Sequence, residues 1–359
     1  MALFVTIVVF FAAGTAAWGA PLEVPPTAWS GSGHKIVAAA EFDDGYGLYV
    51  FDIEGRGGGF IPFQHRILAM KWASKDGPLC LLARHANGRH YLWLANPSGI
   101  IKRLSERPVY VYDTPSANLF DWSPDCRHVV FASDTGGNVD LWRVEIEYGW
   151  EKRLTHAKSK DFSPAWSPNG KWITFCSERG GTRGIWILPA DAGPARKVTD
   201  GPEDEEHPAW SPGSDRICFL AKGRREGIYT VAVLGGGRKP IAIGGRNYAA
   251  PVWSSTGKWI SFVYGNNAAN IFCTPVKKAK GWGPYFQTTF DQGQQVSTGL
   301  RVPAWSPARD QLVYATLDEG RLSIRVASLS EDHGAAWRNV YTAPRERLKH
   351  KPFKKTGGG

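Results

Sequence analysis

Seven side chains offer the chemistry of a binding site: Asn118, Asp161, Glu205, Glu206, His207, Tyr248 and Arg301. Each stands three to five residues ahead of a Trp that recurs along the chain. Carboxylates, a guanidinium, an imidazole, an amide and a phenol can grip and steer a partner through charge and hydrogen bonds. The acid is concentrated between Asp200 and His207, with Asp200, Glu203, Asp204, Glu205 and Glu206, in a chain of formal net charge +10. Such a run reads first as a solvated loop. Read as a site, it would hold a peptide or protein segment. On that reading, Ala at Glu205, Glu206 and Arg301 leaves thermal stability nearly unchanged and weakens partner binding.

Other chemistries have no motif here. The chain has no GxSxG elbow, no HExxH and no DxDxDG loop. The five cysteines, Cys80, Cys126, Cys176, Cys218 and Cys273, show no CxxC or Cys/His ligand spacing. They read as small buried thiols in strands. The His residues are scattered, and only His207, with Glu205 or Glu206, falls at the height of the channel mouth. One imidazole is too few for a typical transition-metal site, so no metal and no cofactor is expected.

The candidate residues take their place from a repeat. Trp followed by Ser or Ala and a turn recurs at Trp29, Trp72, Trp122, Trp166, Trp210, Trp253 and Trp305. The spacings are 43, 50, 44, 44, 43 and 52, with the two long ones marking insertions in the second and sixth repeats. The Trp closes a short strand, often with Pro two residues earlier, as at Pro164, Pro208, Pro251 and Pro303. A Ser-Pro-Asp-Gly-like turn follows, its Pro presetting φ and its Asp, Asn or Gly tolerating the left-handed position.

A second strand is apolar on both faces: Ile173, Thr174 and Phe175 in one repeat, Ile217, Cys218 and Phe219 in the next. A third strand has Tyr49, Trp93, Trp142, Trp186, Tyr229, Phe272 and Ile324 near its centre. A fourth, more polar strand ends most repeats (IIKRLS, EKRLTH, ARKVTD, and more loosely RKPIAI and WRNVYT). Four strands per unit of about 44 residues, covered on both faces, describe an all-β propeller blade. Seven four-stranded blades are expected over residues 21–344. A six-bladed ring with one degenerate repeat is the alternative. In either ring the seven candidate residues would surround the mouth of the central channel.

The Ser-Pro-Asp-Gly-like turn after Trp, the Ile-x-Phe strand, the Ile-Trp or Ile-Tyr strand and the Arg-Leu-Thr ending resemble TolB-type, WD-like propeller repeats. The resemblance spans about residues 24–343. It departs from TolB in lacking room for that protein's N-terminal α/β domain and in its seventh repeat. It implies a non-catalytic exported platform in the envelope or periplasm, or a secreted one, that binds a protein or peptide. Some sugar-acid lyases resemble the same architecture, so a metal-dependent lyase acting on acidic carbohydrate is the alternative. A structural module that oligomerises through aromatic edges is a third reading.

The termini complete the expectations. Residues 1–22 carry no charge, and Leu3 to Ala13 is a short apolar run before small residues. Residues 1–20 therefore read as a signal peptide or N-terminal anchor, with membrane contact only if the segment stays uncleaved. Between Arg345 and Lys355 stand six basic residues and Glu346, which supply +5 of the +10. Residues 345–359 read as a basic flexible tail, the remaining body is only mildly basic, and no nucleic-acid partner is expected.

Overall fold

The computed structural model describes residues 26–342, apart from 43–44, 55–58, 75–76, 97–98, 100, 113–117, 246, 266–269, 277–285, 288–303, 319–320 and 331–333. The expected leader, the basic tail and Arg301 lie outside the described residues. So does most of the insertion in the sixth repeat.

Seven antiparallel sheets of four strands follow one another along the chain. Blades 1 to 7 are Thr27–Phe63, Arg66–Arg103, Phe120–Arg153, Asp161–Lys197, Asp204–Ile243, Tyr248–Gln287 and Ala304–Thr342. The first strands of blades 1 and 2, 3 and 4, 4 and 5, and 5 and 6 contact one another. Blade 1 contacts blade 7 in the same way, which closes the ring. The seven-bladed expectation holds. Each blade is built from consecutive strands, so the ring closes without strand exchange.

The repeat's Ser explains the first turn. Its hydroxyl accepts the backbone N–H six residues past the Trp in five blades: Lys35, His128, Trp172, Arg216 and Trp259, at 2.9–3.1 Å. The hairpin is thus clamped by a side chain that is itself buried. The second strand then runs with both faces covered, and Ile217, Cys218, Phe219, Leu220 and Ala221 are fully buried. Its aromatic position pairs across to the third strand's aromatic, as in Phe175 with Trp186, Phe219 with Tyr229 and Phe262 with Phe272. Blade 7 departs from this register: Tyr314 faces Arg325, and the expected Ile324 faces Ala315. Blade 1 has a fourth strand, Gly59–Phe63, that lacks the Arg-Leu-Thr signature.

Apolar clusters fill the spaces between blades. Trp29, Ile36, Ala38, Phe51, Val313, Ile324 and Val326 join blade 1 to blade 7. The repeat's indoles sit in these seams; Trp29, Trp122, Trp166, Trp210 and Trp253 are buried, while Trp72 and Trp305 are half-buried. Trp305 of blade 7 donates Nε1–H to the Ser261 hydroxyl of blade 6 at 2.9 Å, and three others donate to a backbone carbonyl across a seam. Trp29 bonds to the Ala304 carbonyl at 2.9 Å, Trp122 to that of Lys71 at 3.0 Å and Trp210 to that of Ala165 at 3.0 Å. Each of these carbonyls belongs to the residue just before the neighbouring blade's Trp. An indole therefore supplies both apolar area and one directional bond to the ring. Cys80, Cys176, Cys218 and Cys273 are buried free thiols, and Cys126 is half-buried.

Candidate functional site

The register places the start of each first strand, the hairpin between the second and third strands, and the connection between blades at one end of the wheel. Asp161 pairs with Ser177 and Ser177 with Gly184 in blade 4; Asp204 pairs with Lys222 in blade 5. This end is the mouth face. The Ser-Pro turns and the hairpins between third and fourth strands form the opposite face.

At the mouth, blades 4, 5 and 6 share a backbone device. The residue three before the Trp has positive φ: Ser163 at 54°, His207 at 56° and Ala250 at 49°. Pro164, Pro208 or Pro251 follows directly, and the ladder register shifts at the same step. A β-bulge at this point frees backbone groups and re-aims the side chains before it. The recurrent Pro was its visible signal. The Pro208 carbonyl, set free by the bulge, accepts the Asn118 amide at 2.5 Å. That bond runs from the blade 3 connection to blade 5, past blade 4.

Only the first half of the Asp200–His207 run, up to Glu203, is a loop, with Asp200 exposed. Asp204–Trp210 is a strand, and Glu205, Glu206 and His207 are buried. Glu206 takes an ion pair from Arg183 of blade 4 and another from Lys222 at 2.7 Å, with His207 Nε2 at 3.6 Å. Burial alone would raise its carboxyl; Lys222, His207 and Arg183 outweigh that and hold it below the usual range. Glu205 meets Arg238 at 3.4 Å, and burial pushes its carboxyl up. Asp161 accepts from Arg179 at 2.6 Å, yet burial still raises it. His207 is enclosed and its pKa falls to about 4, because burial disfavours the imidazolium more than Glu206 favours it. Its Nδ1 has no partner among the described residues.

These pairs share a polarity. The carboxylate is enclosed and the cation reaches the surface. Side-chain exposures are 0% for Asp161 against 22% for Arg179, and 1% for Glu206 against 27% for Arg183 and 36% for Lys222. Arg183 also lies over Tyr112, whose ring stacks on Phe162 at 4.8 Å. The mouth therefore presents N–H donors that buried acids hold in place. Tyr248, the blade 6 candidate, is buried and packs on Tyr264 and Phe262 at centroid distances of 4.7 and 5.7 Å.

Two further residues belong to this inner wall. Lys71 pairs with Asp121 at 3.0 Å and with the Asn118 amide oxygen at 3.4 Å, and Asp121 accepts the Trp166 backbone N–H at 2.8 Å. Sequence reasoning passed over both. The signal was the position just before the repeat Trp, which is Ala or Val in the other five repeats and charged only at Lys71 and Asp121. Among the described residues no group of three or more His, Cys, Asp or Glu could hold a metal ion.

The fold and this mouth define a class: a seven-bladed β-propeller of four-stranded antiparallel blades. Residues 110–226 match the family described as TolB beta propeller domain. Solved structures agree on the architecture. Oligogalacturonate lyase from Vibrio parahaemolyticus is 14% identical, with a TM-score of 0.66 over 87% of this chain and 90% of that one. TolB from Acinetobacter baumannii is 17% identical, with a TM-score of 0.53 over 86% and 82%. The propeller of the Trilobed protease from Pyrococcus furiosus, described as having an open velcro topology, is 11% identical, with a TM-score of 0.58 over 89% and 97%. At these identities the likeness is one of fold. No curated protein matches the chain in sequence.

Proposed function

We propose that this protein is a non-catalytic TolB-like propeller that binds a protein or peptide segment on its mouth face, in the periplasm or cell envelope. The observation that carries the reading is the locked geometry of blades 4 and 5. Asp161, Glu205 and Glu206 are buried beneath Arg179, Arg183, Arg238 and Lys222. Carboxylates held this way serve as counter-ions for a preorganised donor surface and are poorly placed to move a substrate's protons. The TolB-type match over residues 110–226, which covers blades 3 and 4 and part of blade 5, supports the same reading and the envelope location. The N-terminal apolar run favours export.

Site-directed photocrosslinking in an envelope fraction tests this. A photoreactive residue replacing Thr182, in the mouth hairpin of blade 4, should give a defined protein adduct. The same residue replacing Asp191, on the opposite face, should give none. Equal adducts from both positions, or none from the first, would contradict the proposal. Depolymerisation of polygalacturonate by the purified protein would instead favour the lyase alternative.

A further inference from the structure

The loops of blades 3 to 5 carry opposite charge on the two faces. In the mouth loops the exposed charges are Lys158, Lys160, Arg224 and Arg225 against Glu106 and Asp200. In the loops of the opposite face they are Arg127 and Lys171 against Asp125, Glu147, Asp191 and Asp215, with Arg196 and Lys239 exposed where the fourth strands of blades 4 and 5 begin. No carboxylate among the described residues pairs with any of the four mouth cations. Arg179, Arg183 and Lys222 add half-exposed cations held by the buried Asp161 and Glu206, with Arg183 also 3.5 Å from the half-exposed Glu178.

From this polarity we infer that the segment taken by the mouth of blades 4 and 5 is an acidic peptide. The inference rests on the proposed platform and adds the chemistry of the partner. Unpaired exposed cations on two adjacent blades attract an anion from solution, and a guanidinium already oriented by a buried acid loses little freedom when it grips a second carboxylate. The surface is not uniformly basic. Asp200 is exposed, and Glu178, Glu203, Asp204 and Glu226 are half-exposed among the cations. These acids repel a polymer charged at every unit, whereas a peptide can set neutral or basic side chains against them. The mixed pattern therefore selects a peptide over a polyuronate.

The test is fluorescence anisotropy with a short labelled peptide of alternating Glu and Ser, its Lys–Ser counterpart, and polygalacturonate as competitor. The Glu peptide should bind the full-length protein, and binding should weaken as salt rises. The double reversal R224E/R225E should weaken it about tenfold with an unchanged melting curve, since both side chains are exposed. K171E changes charge on the opposite face and should leave it unaltered. Equal binding of the Lys peptide would overturn the acidic class while the platform itself stood. An equal loss with K171E would remove the mouth from the binding surface, and with it both readings. Binding of polygalacturonate without the Glu peptide would assign the cations to a carbohydrate and overturn the inference.

Discussion

The two faces of the wheel are built on the same sheets but hold their polar groups differently. On the opposite face, Asp125, Asn169 and Asp215 bond to the repeat's Ser within a few residues, at 2.5, 2.8 and 2.8 Å. Those contacts are local and repeat from blade to blade, and others on the same face cross seams: the Asn169 N–H donates to the Ser214 hydroxyl at 3.0 Å, Arg196 to the Val233 carbonyl at 2.7 Å and Ser255 to the Ser306 carbonyl at 2.7 Å. On the mouth face the contacts run between blades: Arg183 to Glu206, Lys71 to Asp121, and Asn118 to Pro208 two blades away. Both faces therefore tie blades together, the opposite one through hydroxyls and carbonyls and the mouth through buried acids whose cations turn outward. Both rest on the indoles between blades, and substitutions in the seams and on each face probe the contrast.

The largest effect belongs to the shared interior. Trp210→Ala removes a buried indole and its bond to the Ala165 carbonyl, so urea unfolding should show a loss of about 4 kcal/mol. A loss below about 1 kcal/mol would mean that the ring is held from its faces instead. Next, Glu206→Ala leaves Arg183 and Lys222 without their buried counter-ion. It should cost about 3 kcal/mol, less the relief that the two partly exposed cations find in water. This corrects the expectation from sequence that Ala at Glu205 and Glu206 is neutral for stability. Asp215→Ala on the opposite face loses one local turn bond and should cost about 1 kcal/mol, which sharpens the contrast.

A third effect depends on pH. His207 has a folded pKa of about 4 against 6.5 for the free side chain, so the unfolded chain takes up the proton first as pH falls. The lowered value leaves stability intact above about pH 6.5 and drains it away as pH drops towards 4, by about 3 kcal/mol. Asp161 and Glu205, whose carboxyls are raised, act in the opposite direction, so the variant must be compared with wild type across the whole range. His207→Asn keeps a side chain tolerant of positive φ and removes the titration. Melting curves of this variant should show a shallower acid slope; an identical slope would mean that His207 is protonated in the folded protein. The smallest effect is at Arg89, whose pair with Asp134 is about half exposed on both sides. Arg89→Ala should stay within about 0.5 kcal/mol by the same melts.

The blades were legible in the sequence because each feature is local and repeats. Trp, the clamping Ser, the turn and the apolar second strand recur within one unit, and seven copies average out the irregularities. The fourth strand of blade 1, GFIPF, was missed because Gly and Pro weaken a strand pattern and its ending differs from the others. The slip in blade 7 was invisible because Ile324 and Arg325 both fit a strand. The mouth was legible as a set of positions but not as an environment. Glu205 and Glu206 sit in an acidic run, which locally signals water. Arg183, the partner that draws Glu206 inside, belongs to the preceding blade, more than twenty residues away. Lys71 and Asp121 lay in plain view once the repeats were aligned on their Trp, because each breaks a column of Ala and Val.

The account turns on a division of labour: buried acids at the mouth hold blades together, and exposed cations there meet the partner. Melting curves and Glu-peptide titrations of Glu206→Ala and R224E/R225E, run side by side, test it most directly. The melting temperature should fall for Glu206→Ala alone, and the charge reversal should lose about tenfold in peptide affinity at an unchanged melting temperature. A charge reversal that melts early while still binding the peptide, or a Glu206 variant as stable as wild type, would contradict it.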